Sequence, residues 1–450
     1  MELTDPTARH LYETIRDLPI VSPHGHCDPK WFATDEPFSD PAELLVVPDH
    51  YVFRMLYSQG VPLEDLGVPP AGDDTDRRDV FRTFAHNWHL FLGTPSRLWI
   101  EYVLTQTLGV DTPLGPETAD KVYDEIAEKL ADSAFRPRAL FGRFKIEALA
   151  TTDNSLDDLS HHQTIAKSDW AGRVIPTFRP DALIDPQHVD FKDSIENLAL
   201  LTHRDTTNYS GYLAALRMRR ALFKQNGATA TDHAIDIVQT GILADPEAAF
   251  QRVLNAPSEA QARAFHGHML IVMAEMSVED GLVMQLHAGS RRNTNTHLFK
   301  IFGADKGSDI PTATSWVDGL AGLLNHVGNE PGFRLILFTL DESTYARELA
   351  PMAGHWPCLR IGPPWWFHDS PAGIARYFDQ VIETAGYWNL AGFNDDTRAF
   401  LSIPARHDLW RRAVAEHLSG QIRRGYFDRR NAEEIALLLA VDLAREAYRL

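Results

Sequence analysis

Residues 18–26 read LPIVSPHGH, a short apolar run that ends in two histidines one residue apart. Seven further runs of this kind follow: 146–152 (IEALATT), 173–178 (RVIPTF), 227–231 (GATAT), 281–287 (GLVMQLH), 333–338 (FRLILF), 358–362 (CLRIG) and 389–393 (NLAGF). Several are near-continuously apolar, as strands buried on both faces must be. Helical periodicity lies between them, for instance over 209–225 and 310–327. Eight alternating strand and helix units predict an α/β protein whose parallel sheet closes into a (β/α)8 TIM-type barrel.

Two stretches exceed an ordinary connection. Residues 34–143 are expected to form a helical insertion between the first and second strands, around the aromatic-rich segment 79–108 (DVFRTFAHNWHLFLGTPSRLWIEYVLTQTL). Residues 232–280 read as mostly helical, and 431–450 (NAEEIALLLAVDLAREAYRL) as a closing helix. With no internal repeat, residues 1–450 are expected to be one barrel domain carrying that insertion.

Composition narrows the function. A hydrophobic fraction of 44% with 23% charged residues fits a soluble globular chain. Lys+Arg 43 against Asp+Glu 62 gives a net charge of -19, which argues against a nucleic-acid or anionic-membrane partner. Two cysteines, Cys27 and Cys358, exclude a disulfide scaffold and a structural Cys-type zinc site. No apolar run approaches the ~18 residues of a transmembrane helix, and the acidic, polar N-terminus is unlike a signal peptide. A cytoplasmic protein is expected.

Barrel active sites are built at the C-terminal ends of the strands. His24 and His26 end the first run at i and i+2, so both imidazoles project on one face and suit a divalent transition metal. A pair of surface histidines is the competing reading. The eighth run leads into Asn394-Asp395-Asp396, with Arg398 beyond. Asp396 would complete the metal site, act as a base, or cap the next helix. His287 ends the fifth run and aims at the same mouth unless it is a satisfied core histidine. Arg179 follows the third run, and it and Arg398 carry the planar fork that matches a carboxylate. Asp232-His233 follow the fourth run. Trp365-Trp366-Phe367 follow the seventh, either walling a sugar pocket or packing under a loop. From pattern alone, 49–54 (DHYVFR) reads as surface loop.

Two histidines at the first strand end, a histidine at the fifth and an aspartate at the eighth resemble the amidohydrolase superfamily. Within it the chain resembles the uronate isomerase family along its whole length. PHGHCDP is similar to the family's first-strand motif, DHYVFR to DHYKWR, ALATTDNSLDDLSHH to TTDDPxDxLxxH, and TATDHA to ASDHG. PTFRPD matches closely. MQLHAGSRRNTN, the WWF and DDTRAFLSIPARHDLWRR resemble QLHIGAxRxxN, WWFxD and TDSRSFLSYxRHEYFRR.

The resemblance implies one divalent ion, zinc first with manganese or iron as alternatives, held by His24, His26 and Asp396. Many superfamily members bridge two metals with a modified lysine; here Lys145 precedes its strand and Lys306 lies in a loop, which favours a single ion. It implies conversion of D-glucuronate to D-fructuronate and of D-galacturonate to D-tagaturonate through a cis-enediol. The resemblance would place His50, Tyr51, Arg179 and Arg398 around the sugar acid, with His287 near the metal, and Trp365 and Trp366 are the expected walls of the pocket. Asp396 would move the carbon-bound proton and Tyr51 the oxygen-bound one. A homo-oligomer is the expected assembly. The chain departs from the family pattern at Arg97-Leu98-Trp99, at Asp341-Glu342 (read here as a helix cap), at Asp395-Asp396-Thr397 and at Pro404. Such changes admit a shifted substrate, or a hydrolase of the same fold acting on a sugar-acid lactone or amide.

Overall fold

In the computed structural model, which describes residues 1–70, 74–255 and 257–450, the strands are short and mostly parallel. They are β1 (Ile20–Ser22), β2 (Ile146–Ala150), β3 (Asp153–Asn154), β4 (Val174–Ile175), β5 (Phe178–Arg179), β6 (Ala230–Ile235), β7 (Val283–Ala288), β8 (Ser290–Arg291), β9 (Ile310–Pro311), β10 (Leu335–Thr339) and β11 (Leu359–Ile361). β1 pairs with β2 and β2 with β4. β3 and β5 prolong β2 and β4 after short breaks, and pairing then runs β3-β5-β6-β7-β10-β11. β8 and β9 form a separate antiparallel pair.

The ring closes without a regular eighth strand. Ile361 bridges Leu390, the Ile361 amide donates to the Asn389 carbonyl at 2.9 Å, and the Ala391 amide donates to the Ile361 carbonyl at 2.9 Å. Beyond them the amides of Asp396 and His26 donate to the carbonyls of His24 and Thr397 at 3.3 and 3.0 Å. The strand expected over 389–393 is thus reduced to a bridge. Gly392, at φ +79°, turns the chain there against the backbone of the helix Leu443–Tyr448.

Alternation along the strands separates two cores. Val283, Ile336 and Phe338 cluster with Ala230, Ala391 and Trp365 inside the ring. Met284, Leu286, Leu335 and Leu337 face the outer helices, among them Leu320, Leu323 and Val381. A period of two residues per strand produces both faces.

The fourth strand corrects the sequence reading most. The run at 227–231 starts late and continues to Ile235, so Asp232 and His233 lie within β6 instead of after it. The polar pair hides a strand buried along almost its whole length. The helix expected over 310–327 spans only Val317–Val327, and Ile310 and Pro311 pair in β9 instead, Pro311 disfavouring helix at Ile310. The segment 79–108 breaks into Arg77–His86 and Pro95–Tyr102, interrupted at Gly93 (φ +80°) and Pro95. Tyr209–Gln225 is the helix its periodicity indicates.

Between β1 and β2, helices including Pro29–Thr34, His50–Tyr57, Arg77–His86 and Ala119–Ala131 bury their own cluster around Phe32, Phe53, Phe81, Phe84 and Ile126. Among the described residues no helix is long and apolar enough to cross a membrane.

Candidate active site

β1 ends in a run of buried residues that delivers His24 and His26 to the mouth of the ring. The chain after the bridge returns Asp396 beside them: its Oδ1 lies 3.4 Å from His24 Nε2 and 3.0 Å from His26 Nε2. Burial opposes ionisation of Asp396, but the two imidazoles hold its carboxyl well below the usual carboxylate range.

On β6 and β7, Asp232 and His287 project to the ring interior with Ala230 and Val283. His287 Nδ1 and Asp232 Oδ1 are 2.7 Å apart, which fixes the imidazole with Nε2 as its other face. The ring of His287 stacks on His24 and Phe338, with centroids at 4.8 and 4.2 Å. His233, on the opposite face, meets Thr231 instead, with Nε2 at 3.0 Å from Oγ1.

The segment 49–54 is not a loop. Asp49 caps the helix His50–Tyr57, accepting from the Tyr51 amide at 2.8 Å, and Val52, Phe53 and Leu56 anchor it in the insertion core. Its polar start disguised an amphipathic helix whose first turn faces the mouth. His50 stacks on Tyr51 at 4.8 Å and sits 5.0 Å from Trp366. Burial, reinforced by Arg398, pushes His50 down to about 3, so its imidazole is neutral. Burial also raises the Tyr51 phenol, which stays protonated.

Three guanidinium groups face these residues. Arg179 Nε donates to Asp181 Oδ2 at 2.9 Å and lies 3.7 Å from Asp232 Oδ2; burial works against its charge, and the two carboxylates restore it. Arg398 Nη2 donates to Asp305 Oδ2 at 2.8 Å. Burial would lift Asp305, but Arg398 holds it down to about 2. Arg292 Nη1 donates to Asp309 Oδ2 at 2.8 Å.

Of the mouth residues read from the sequence, His24, His26, His50, Tyr51, Arg179, Asp232, His287, Trp365, Trp366, Asp396 and Arg398 line one cleft, while His233 and Phe367 do not. Polar and charged side chains converge in it beside aromatic walls, as in small-molecule sites. The tryptophans both pack and wall: each is less than a tenth exposed, and Trp365 lies edge-on to His287 at 4.9 Å. Arg292 and Asp305 join the cleft unannounced by the strand-end rule, since both come from the excursion after β7. The RRN that follows QLH was the available signal for Arg292; Asp305 had none. The departures at Arg97, Asp341, Glu342 and Pro404 do not line the cleft. Asp341 caps a turn by accepting from the Ser343 amide at 3.1 Å, and Glu342 pairs with Arg376.

Ligand atoms of His24, His26 and Asp396 lie within 4.8 Å of one another, as do those of His24, Asp232 and His287. His24 Nδ1 and His287 Nε2 are buried without a hydrogen-bond partner. Imidazoles around an ionised carboxylate fit a divalent metal ion. A ring of parallel strands with this donor set at its mouth defines a barrel protein whose strand ends could hold a metal ion.

A family model described as glucuronate isomerase matches residues 1–441. The uronate isomerase of Rhizorhabdus wittichii is 54% identical over 450 residues, covering 99% of this chain and 96% of that protein. The crystal structure of glucuronate isomerase from Caulobacter crescentus has a TM-score of 0.97 at 48% identity, covering 99% of this chain and 95% of that one. Uronate isomerase from Thermotoga maritima has a TM-score of 0.93 at 27% identity, covering 99% and 98%. The chain belongs to the glucuronate isomerase family.

Proposed function

We propose that this protein is a hexuronate aldose–ketose isomerase that converts D-glucuronate to D-fructuronate and D-galacturonate to D-tagaturonate. The observation that carries the reading is one cleft in which the His24, His26 and Asp396 donors meet Tyr51 and the guanidinium groups of Arg179 and Arg398. The match to isomerases along the whole chain favours it over hydrolysis of a lactone or amide. A cytoplasmic homo-oligomer acting on a small sugar acid, without nucleic-acid or membrane partners, completes the proposal.

His24, His26 and Asp396 would hold the ion, for which zinc is our assignment among the metals these donors admit. Such an ion, when bound, supplies positive charge that orients substrate oxygens. The open-chain aldose must lose its C2 proton and gain one at C1, with no net change in atoms. Asp396 is assigned the carbon-bound proton. Tyr51, a phenol kept protonated by burial, donates to the C1 oxygen and accepts from the C2 hydroxyl. Arg179 and Arg398 hold the carboxylate and the charge that develops on the enediol. The neutral His50 offers a hydrogen-bonding partner to a sugar hydroxyl, and Asp232 orients His287. Trp365 and Trp366 wall the sugar.

Proton NMR of D-glucuronate and D-galacturonate in heavy water, with metal-replete protein, tests this reading. Ketouronate signals are expected, with deuterium at C1 where the enediol proton exchanges. No change with either sugar, together with turnover of a sugar-acid lactone, would replace isomerisation with hydrolysis.

A further inference from the structure

The helix Ile403–Arg424 carries a guanidinium that the chemistry above does not use. Arg406 is 2% exposed. Its Nη1 donates to Asp369 Oδ2 at 2.7 Å and to the Asp395 carbonyl at 3.2 Å, and its Nε donates to Ser402 Oγ at 3.2 Å. The guanidinium carbon lies 3.6 Å from the Trp99 ring centroid and 5.4 Å from that of Tyr51. Trp99 in turn meets the Tyr51 ring edge-on, at 5.6 Å and 88°. Asp49, which caps the Tyr51 helix, shares a small cavity with Arg406, Trp99 and Ser402.

Four pieces of the chain therefore meet on one cation. The long helix supplies it, the segment after β11 supplies Asp369, the metal-ligand segment supplies Asp395, and the insertion supplies Trp99 and Tyr51. A buried ion pair contributes little net stability over a well-packed apolar pair. Holding together the insertion and the barrel does not by itself require a charge. A planar fork does something an apolar side chain does not: it sets direction through its hydrogen bonds while its flat face stacks.

We infer that Arg406, oriented by Asp369, is a positioning residue that registers the Tyr51 ring against the Asp395–Asp396 backbone. The inference rests on the isomerase reading, in which proton transfer needs both Tyr51 and Asp396 within about 0.5 Å of their working places. Arg406 does not line the main cleft, so its loss should spare substrate binding by Arg179 and Arg398.

The test is a double-mutant cycle on full-length, metal-replete protein, with metal content and a thermal melt recorded for each variant. Arg406→Met is expected to lower kcat about 30-fold or more with KM changed less than about threefold and metal stoichiometry kept. In the Tyr51→Phe background the same substitution should cost less than about threefold, because the group it positions is gone. Arg406→Lys, which keeps the charge but not the fork, should behave like Arg406→Met. Should Arg406→Met fail to fold, Asp369→Asn replaces it in the cycle, with a smaller loss of about tenfold that also vanishes beside Tyr51→Phe. Full kcat in folded variants, or equal losses in both backgrounds, would overturn the inference while active wild-type protein keeps the isomerase reading. Inactive wild-type protein would overturn both.

Discussion

Asp396 adopts φ +40°, in the left-handed region that a non-glycine residue seldom enters. Such strain costs on the order of 1–3 kcal/mol and persists where surrounding structure over-determines it. Here the amide bonds of Asp396 and His26 hold the turn, and the carboxylate is delivered between two imidazoles. Asp396→Asn keeps size but removes the charge that matches a cation. Metal affinity should fall by more than about 100-fold, beyond what loss of an outer hydrogen bond causes. Metal analysis after dialysis, alongside the NMR assay, checks it; full metal content and activity would remove Asp396 from the site. At this scale the sequence was most legible for His24, His26 and Asp396, whose side chains the structure brings together. Asp305 was illegible, because a single loop aspartate acquires meaning only when Arg398 arrives beside it.

Among the elements, apolar runs were good guides where burial and hydrophobicity coincide, as in β7 and β10. They failed in β6, where Thr231, Asp232 and His233 are buried for polar reasons, and at 389–393, where packing against the C-terminal helix replaces strand pairing. Gly392 makes that close approach. A Cβ there would stand 2.5 Å from the Ala444 amide nitrogen, on a backbone already at φ +79°. Gly392→Ala should destabilise the protein by about 2–3 kcal/mol, since neither backbone is free to move away. Scanning calorimetry would show a lowered Tm; an unchanged Tm would mean that the closing segment and the helix Leu443–Tyr448 separate easily.

Across the whole molecule, stability should carry a proton signature from Asp153. Burial lifts its carboxyl from the ordinary 3.8 to about 7, although Thr151 and the Thr177 amide pull it down. Between about pH 4 and pH 7 the folded protein thus retains a proton that the unfolded chain has released. This contribution is fully present below the unfolded pKa and is lost as pH rises through the folded one. Relative to Asp153→Asn, the wild-type Tm should fall on going from about pH 4.5 to about pH 7.5. Parallel pH profiles of the two melts would show that Asp153 is ionised in the native state.

The sequence by itself determined the barrel class and the types of side chain at the strand ends. Those follow from local patterns: apolar runs, helical spacing, and the i, i+2 geometry that sends two histidines to one side. Tertiary structure alone decided that the helix His50–Tyr57 brings His50 and Tyr51 over the mouth and that Asp232 orients His287. It also decided that Arg406 meets Asp369, the Asp395 carbonyl and Trp99 at one point. These pairings cross 55 residues between Asp232 and His287 and hundreds between Tyr51 and Asp396. Charge and hydrogen bonding act over a few ångströms in space, and only closure of the ring sets those distances.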